Sequence, residues 1–337
     1  MISCSVFQPS GGELNETKFQ VQTSSGVVSS VLGSSDFEVI AWEDIPFAEP
    51  PVGDLRWRAP RPLDVPRHII SPKDDTACVQ KASVYAGATG EGIVGSEDCL
   101  YLDITAPVDF KDKSYPVMFW IHGGGNTSGL KDYYDYSKLV STRDVVVVRT
   151  NYRLGALGWF THPSIQGSQE GTDKTSNFGT LDIIQSLEWV QSNISAFGGD
   201  PSNVTIFGES AGGHNVFALL SSPLADGLFH KAISQSGYTS SYSLEDAINE
   251  NGTNRLIERG SSQIIERVFG SGVDKNLLRS KLKEMDARAF IGLYYQEDGI
   301  DSIPLTTRDG IVIPEVGLLE ALSRPEYAKK IPVMAGA

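Results

Sequence analysis

The sequence predicts an α/β protein built on a mostly parallel central sheet, and three observations carry that expectation. From Ser96 onward, strand-like and helix-like segments alternate, which calls for parallel pairing through right-handed crossovers. The run "DVVVVRTNYR" is β-branched through its core, the composition of a strand buried on both faces. The stretch "VTIFGESAGG" passes from strand to helix through one serine set among small residues.

The elements follow in order. Residues 1–17 are rich in Ser, Gly, Glu and Asn and read as a flexible terminus, leaving 18–337 as one folded domain. Phe19 to Val31 alternates enough for a small hairpin around Ser25 and Gly26. "IPFAEPPVGDLRWRAPRPLDVP" cannot be regular helix, because each proline removes a backbone donor and restrains its neighbour; it should wrap the surface as ordered loop. "CLYLDITAP" and "YPVMFWIHG" read as strands. Ile183, Leu187, Val190, Ile194 and Phe197 recur by fours and threes, an amphipathic helix face. Gly198 and Gly199 stop that helix, and Asp200 with Pro201 opens a turn. "NVTIFG" is then a strand, "SAGGHNVFALLSS" a helix and "KAISQSG" a strand. Beyond Ser243 the chain turns mainly helical, through "LEDAINENGTNRLIERGSSQIIERVF" and "KNLLRSKLKEM", and returns to a strand at "KIPVMAGA".

Composition narrows the function classes. With 337 residues, 40% hydrophobic and 21% charged, the chain is ordinary for a soluble globular protein. No apolar run approaches the roughly 20 residues of a membrane helix. A net charge of -14 argues against nucleic acid, whose phosphates would be repelled. The three cysteines, Cys4, Cys78 and Cys99, match no zinc-ligand spacing, and neither a metal nor an organic cofactor is expected. Cys78 and Cys99 leave two readings open, a disulfide closing a short loop or two buried thiols. At the N-terminus, "ISCS" is similar to the end of a bacterial lipoprotein signal, with Cys4 as the lipidated residue; the alternative is an untidy terminus.

Two stretches carry chemistry. In Gly208-Glu209-Ser210-Ala211-Gly212 a tight strand-to-helix turn forces the serine into a strained conformation that only small neighbours allow. Ser210 then sits at a helix N-terminus, where free N–H groups favour developing negative charge. The second stretch, "WIHGGGNTSG", follows a strand directly. Acyl transfer needs N–H donors aimed at the oxyanion of a tetrahedral intermediate, and consecutive glycines let a backbone turn its amides inward. Gly124 and Gly125, with the N–H of Ala211, are the expected donors, and Gly123 is a weaker candidate.

Together these residues bring a family into view: the chain resembles the type-B carboxylesterases and cholinesterases of the α/β-hydrolase fold. The similarity runs from about Val21 to the last residue, through "IPFAEPPVGDLRW", "SEDCLYLD", "VMFWIHGGG", "NYRLGALGW", "NFGTLDIIQSLEWVQSNISAFGGDPSNVTIFGESAGG", "GLFHKAISQSG" and "DGIVIP". The resemblance implies a central sheet with helices on both faces and a small-molecule carboxylic ester as substrate. It makes Ser210 the nucleophile and Gly124, Gly125 and Ala211 the oxyanion hole. It pairs Cys78 with Cys99 in a disulfide and Arg56 with Glu97 in a structural ion pair. Glu209 would lie beside the nucleophile and Ser236 in a shell behind it. The disulfide and the "ISCS" remnant together favour an extracytoplasmic compartment.

Two departures from the family pattern matter. The loop between Cys78 and Cys99 has no Trp, which puts a cation–π choline site in doubt. Asn126 stands where an aromatic is usual, so the pocket beside the hole should be more polar.

The proton acceptor for Ser210 is the missing part. Of the five histidines, His122 belongs to the glycine loop, and His214 lies one turn below the serine, where it packs or caps. His162 and His230 fall on loops at element ends, and His68 in the proline-rich wrap. In this fold the triad runs Ser, acid, His, and the family acid follows a strand resembling "IPVMAGA". The expectation is therefore an α/β-hydrolase domain whose C-terminal part is missing, with acid and histidine beyond Ala337 and the chain inactive alone. The alternative is a non-catalytic, cholinesterase-like binding or adhesion protein.

Overall fold

The computed structural model describes residues 19–31, 37–252, 260–295, 303 and 305–337. The expected flexible segment 1–17, Cys4 and part of the expected helical stretch, 253–259, lie outside the described residues.

The strands are β1 (Gln20–Thr23), β2 (Gly26–Ser29), β3 (Val39–Pro46), β4 (Arg67–Ile70), β5 (Gln80–Ser83) and β6 (Ala88–Val94). They continue with β7 (Tyr101–Pro107), β8 (Tyr115–Ile121), β9 (Val146–Thr150), β10 (Gly199–Glu209), β11 (Lys231–Gln235) and β12 (Val333–Gly336). Seven of them form the central sheet in the order β12-β11-β10-β8-β9-β7-β3. The neighbours from β12 to β9 pair parallel, whereas β7 pairs antiparallel with both β9 and β3. β9 is buried at every position, as a β-branched strand covered on both faces should be. β1 and β2 form the expected hairpin, joined by Ser24 and Ser25, with β4 beside them.

The helices are α1 (Ser137–Arg143), α2 (Gly155–Gly158), α3 (Pro163–Gln166), α4 (Phe178–Asn193), α5 (Ala211–Ser221) and α6 (Leu244–Ile248). Beyond them come α7 (Ser261–Phe269), α8 (Lys275–Glu284), α9 (Ala287–Gly292) and α10 (Leu318–Ser323). The proline-rich wrap contains no α-helix, only a single 3₁₀ turn at Gly53–Leu55. α4 keeps a solvated edge, with Glu188 and Ser192 exposed and Gln185 and Gln191 half-buried, but Thr180, Asp182 and Ser186 are as buried as Ile183, Leu187 and Val190. Asp182 is satisfied from inside, since Arg153 donates from Nε and Nη2 to it at 2.8 and 2.7 Å. One sequence expectation needs correcting. Asp200 and Pro201 lie within β10 rather than in a turn before it. The strand's register shifts between Gly199 and Val204, and Asp200 Oδ1 accepts from Ser202 N at 2.8 Å, so turn chemistry appears as a bulge.

Two fastenings hold the wrap and its neighbouring loop. Cys78 and Cys99 form a disulfide that closes the loop carrying β5 and β6. Arg56, 5% exposed, makes a bidentate pair with Glu97, both N···O distances being 2.6 Å. Its remaining nitrogen donates to the carbonyls of Leu282 and Met285 at 2.9 and 2.7 Å, capping the C-terminal end of α8. Trp57 beside it packs on Phe160 and Phe290, tying α9 to the wrap.

Candidate active site

β10 ends at Glu209 and α5 begins at Ala211, leaving Ser210 alone on the turn between them. Its backbone has φ 56° and ψ -117°, a conformation that costs a side-chain-bearing residue about 1–3 kcal/mol. Surrounding bonds enforce it: Ser210 N–H donates to Gln235 O, and Ser210 O accepts from His214 N, both at 2.9 Å. The glycines are required by close approach. A Cβ on Gly212 would lie 2.1 Å from Ile121 O, and one on Gly208 would lie 2.5 Å from the Gly212 carbonyl carbon.

The glycine loop, 122–130, leaves the end of β8 and lies against this turn. A Cβ on Gly123 would meet Glu209 O at 2.7 Å and Ser210 Cβ at 3.5 Å. Gly124 and Gly125 both have positive φ, and Gly124 O accepts from Thr127 N and Ser128 N at 3.1 and 2.9 Å. The N–H groups of Gly124 and Gly125 meet no backbone acceptor among the described residues. Ala211 opens α5, so its N–H has no helical carbonyl a turn earlier to receive it. Polar side chains hold the loop from behind. Tyr152 OH donates to His122 O at 2.6 Å, and Gln80 bonds Gly129 twice, Nε2 to O at 2.9 Å and N to Oε1 at 2.8 Å.

Two clefts border the glycines Gly123, Gly124 and Gly125 among the described residues. One, of about 80 Å³, is lined by Tyr85, Gly123, Gly124, Tyr133, Tyr134 and the exposed Glu209. The other, of about 270 Å³, is lined by Gly125, His214, Tyr238, Ser240, Tyr242 and Thr306. A larger open groove of about 590 Å³, between Arg58, Gln169 and Lys283, holds none of these groups. Ser236, expected behind the nucleophile, is exposed at φ 50°, and its N–H donates to Gly336 O at 2.6 Å. The residue of β11 that reaches α5 is Ser234, whose Oγ donates to Gly213 O at 3.0 Å. Asn126 does not make the pocket polar. Its amide turns inward, accepting from Asn215 Nδ2 at 2.9 Å.

The histidines are engaged elsewhere. Burial lowers the pKa of His214 to about 4, so the ring is neutral. Its Nδ1–H donates to Tyr238 O and its Nε2 accepts from Thr306 Oγ1, both at 2.8 Å. His122, also lowered by burial to about 4, stacks on Tyr152 and donates from Nδ1 to Gly123 O at 2.9 Å. His162 caps α3, accepting from Ser164 N. His230 Nδ1 accepts from Val204 N at the start of β11, whereas Ser210 follows the end of the parallel strand β10. His68 is exposed on β4 of the small sheet. Among the described residues, no cluster of His, Cys, Asp and Glu could hold a metal ion.

Sequence reasoning missed the partners rather than the principals. Nothing local ties Asn126 to Asn215 or Gln80 to Gly129; the one available signal was that Asn126 departs from an aromatic position.

Comparison with known proteins follows the same lines. A model described as the carboxylesterase family matches residues 17–336. The para-nitrobenzyl esterase of Bacillus subtilis (strain 168) is 44% identical over 223 residues, covering 64% of this chain and 44% of the relative. Liver carboxylesterase 1 of Oryctolagus cuniculus is 35% identical over 309 residues, 87% of this chain and 52% of the relative. The chain thus spans about half the length of these curated relatives. Among solved structures, a carboxylesterase of Geobacillus stearothermophilus superposes with a TM-score of 0.77 at 32% identity, covering 94% of this chain and 60% of that one.

Proposed function

The chain belongs to the carboxylesterase family, and from that premise we propose that the protein hydrolyses small-molecule carboxylic esters through an acyl-enzyme on Ser210. Ser210 Oγ attacks the carbonyl carbon as its proton passes to a base. The carbonyl oxygen, now an anion, accepts hydrogen bonds from the N–H groups of Gly124, Gly125 and Ala211. The intermediate collapses with loss of the alcohol, and water then releases the acid by the same path. One such donor is worth about 3 kcal/mol of barrier. The observation that carries the reading is the strained Ser210, held between strand and helix with the glycine loop against it.

None of the five histidines offers itself as the base. The rings at 122, 162, 214 and 230 spend a nitrogen on a local bond, and His68 stands on the other sheet. These 337 residues by themselves should therefore turn over esters slowly, since removing a triad base costs on the order of 10⁶ in kcat. The test uses a nitrophenyl ester with the protein made from its natural gene, its Ser210→Ala variant and the 337-residue chain. The natural protein should hydrolyse it, Ser210→Ala should abolish turnover, and the chain alone should be at background. No Ser210-dependent turnover in the natural protein would defeat the hydrolase reading; full turnover by the chain alone would place the base among its own histidines.

A further inference from the structure

Asn126 and Asn215 lie 89 residues apart in sequence and are both fully buried. Asn215 Nδ2 donates to Asn126 Oδ1 at 2.9 Å, and Asn126 Nδ2 faces Asn215 Oδ1 at 3.4 Å. Tyr152 OH, already bonded to His122 O, reaches Asn126 Oδ1 at 3.3 Å. On the backbone side, Gly155 N–H donates to Asn126 O at 2.7 Å. Asn126 thus has both its amide and its carbonyl fixed. Its neighbours in sequence are what make this consequential. Asn126 follows Gly125 directly, and Asn215 sits on α5 about one and a half turns past Ser210.

Resting on the hydrolase reading above, we infer that the Asn126–Asn215 amide pair is a positioning device that fixes the glycine loop's N–H donors relative to Ser210. The connection runs through stiff parts only: Ser210 to Asn215 along one helix, Asn215 to Asn126 through a reciprocal amide contact, and Asn126 to Gly125 across one peptide. Donors to an oxyanion act only when held near 2.7–3.1 Å of where the charge develops, so small loop displacements are expressed in the transition state. An amide pair suits this place because each partner both donates and accepts, joining the two elements without adding a buried charge. Asn also tolerates the backbone at residue 126, where φ is 57°, which an aromatic residue does poorly.

Variants separate these contributions. Asn126→Gly keeps the left-handed backbone and removes only the amide. Asn215→Ala removes the partner from an unperturbed helix. In the protein made from its natural gene, Asn126→Gly and Asn215→Ala should each lower kcat about tenfold, with KM within about twofold. Affinity for a trifluoromethyl ketone, which forms the tetrahedral adduct, should fall by the same factor as kcat. The double variant should be no slower than the worse single one. Peptides covering 122–130 should exchange amide hydrogen faster in Asn126→Gly, a readout independent of turnover. Wild-type kcat in both single variants, a loss confined to KM, or multiplying effects in the double variant would each overturn the inference. If Asn126→Gly fails to fold, Asn215→Ala decides it by the same criteria. A natural protein without Ser210-dependent turnover would bring down the hydrolase reading and this role together; a hydrolytic one with an unaffected Asn126→Gly would bring down the pair alone.

Discussion

The two ends of the loop 122–130 are held by opposite means. Among the described residues the Ser210 end has no buried ion: the contacts are glycine backbone, the Asn126–Asn215 amides, and two histidines kept neutral by burial. Just past the other end stands Lys131, 1% exposed, with its ammonium 2.7 Å from Asp44, 2.9 Å from Asp103 and 2.8 Å from Asp132. Arg149 adds a second cation 3.2 Å from Asp103, and Asp103 also accepts from Asp44 N at 2.8 Å. The difference is chemical. Where the proposed acyl transfer would develop a charge, fixed buried ions would impose a field of their own; where none would develop, ions can anchor the backbone. The loop is fastened by charge away from the proposed nucleophile and by shape beside it.

The largest test of this division is Lys131→Met. Burial alone would lower the ammonium's pKa, but Asp103, Asp132 and Asp44 overcome it and hold the value above that of a free lysine. Removing the cation leaves Asp44 and Asp103 buried against each other, and breaking such a pair typically costs about 3–5 kcal/mol. Urea denaturation should show a loss in that range. A loss under about 1 kcal/mol would mean that the ions are not what anchors this end.

Gly212→Ala probes the other end and should cost less in stability, about 1–3 kcal/mol for the overpacked methyl. The added Cβ would lie 2.1 Å from Ile121 O, so either the start of α5 or the end of β8 must shift. Esterase turnover should fall by far more than the lost stability explains, and added salt should leave the defect unchanged. Turnover near wild type would show that the turn around Ser210 tolerates volume and is not held by shape.

How far this division could be read from sequence differs at the two ends. The Ser210 turn was legible because its chemistry is local: a strand, a small-residue turn and a helix within a dozen residues, with a glycine loop after another strand. Pairing of Cys78 with Cys99 and of Arg56 with Glu97 came from resemblance, not spacing, and both contacts are present. Lys131 gave no signal, because its carboxylates come from β3, β7 and its own neighbour Asp132, and a lone lysine in "SGLKDYY" reads as surface. The buried polar residues of α4 gave no signal for the same reason. Periodicity reports which side is apolar, and says nothing of a buried arginine that lets Asp182 turn inward as well.

The last test reads a slope against pH, and its sign separates the ends again. His214 and His122 have folded pKa values of about 4, below the roughly 6.5 of a free histidine. Between those values the unfolded chain binds protons that the folded chain refuses. Their contribution is therefore fully present above about pH 6.5 and is lost as pH falls toward 4, at about 1.4 kcal/mol per pH unit for each ring. His214→Gln should cut the slope of unfolding free energy against pH by one proton over that window. At the other end Asp103 acts with the opposite sign: burial raises its folded pKa to about 6, above the usual carboxylate range, so its contribution is lost as pH rises toward 6. An unchanged slope in His214→Gln would mean that His214 is already protonated in the folded protein. A buried ion would then stand beside Ser210 after all, and the neutral end would be neutral no longer.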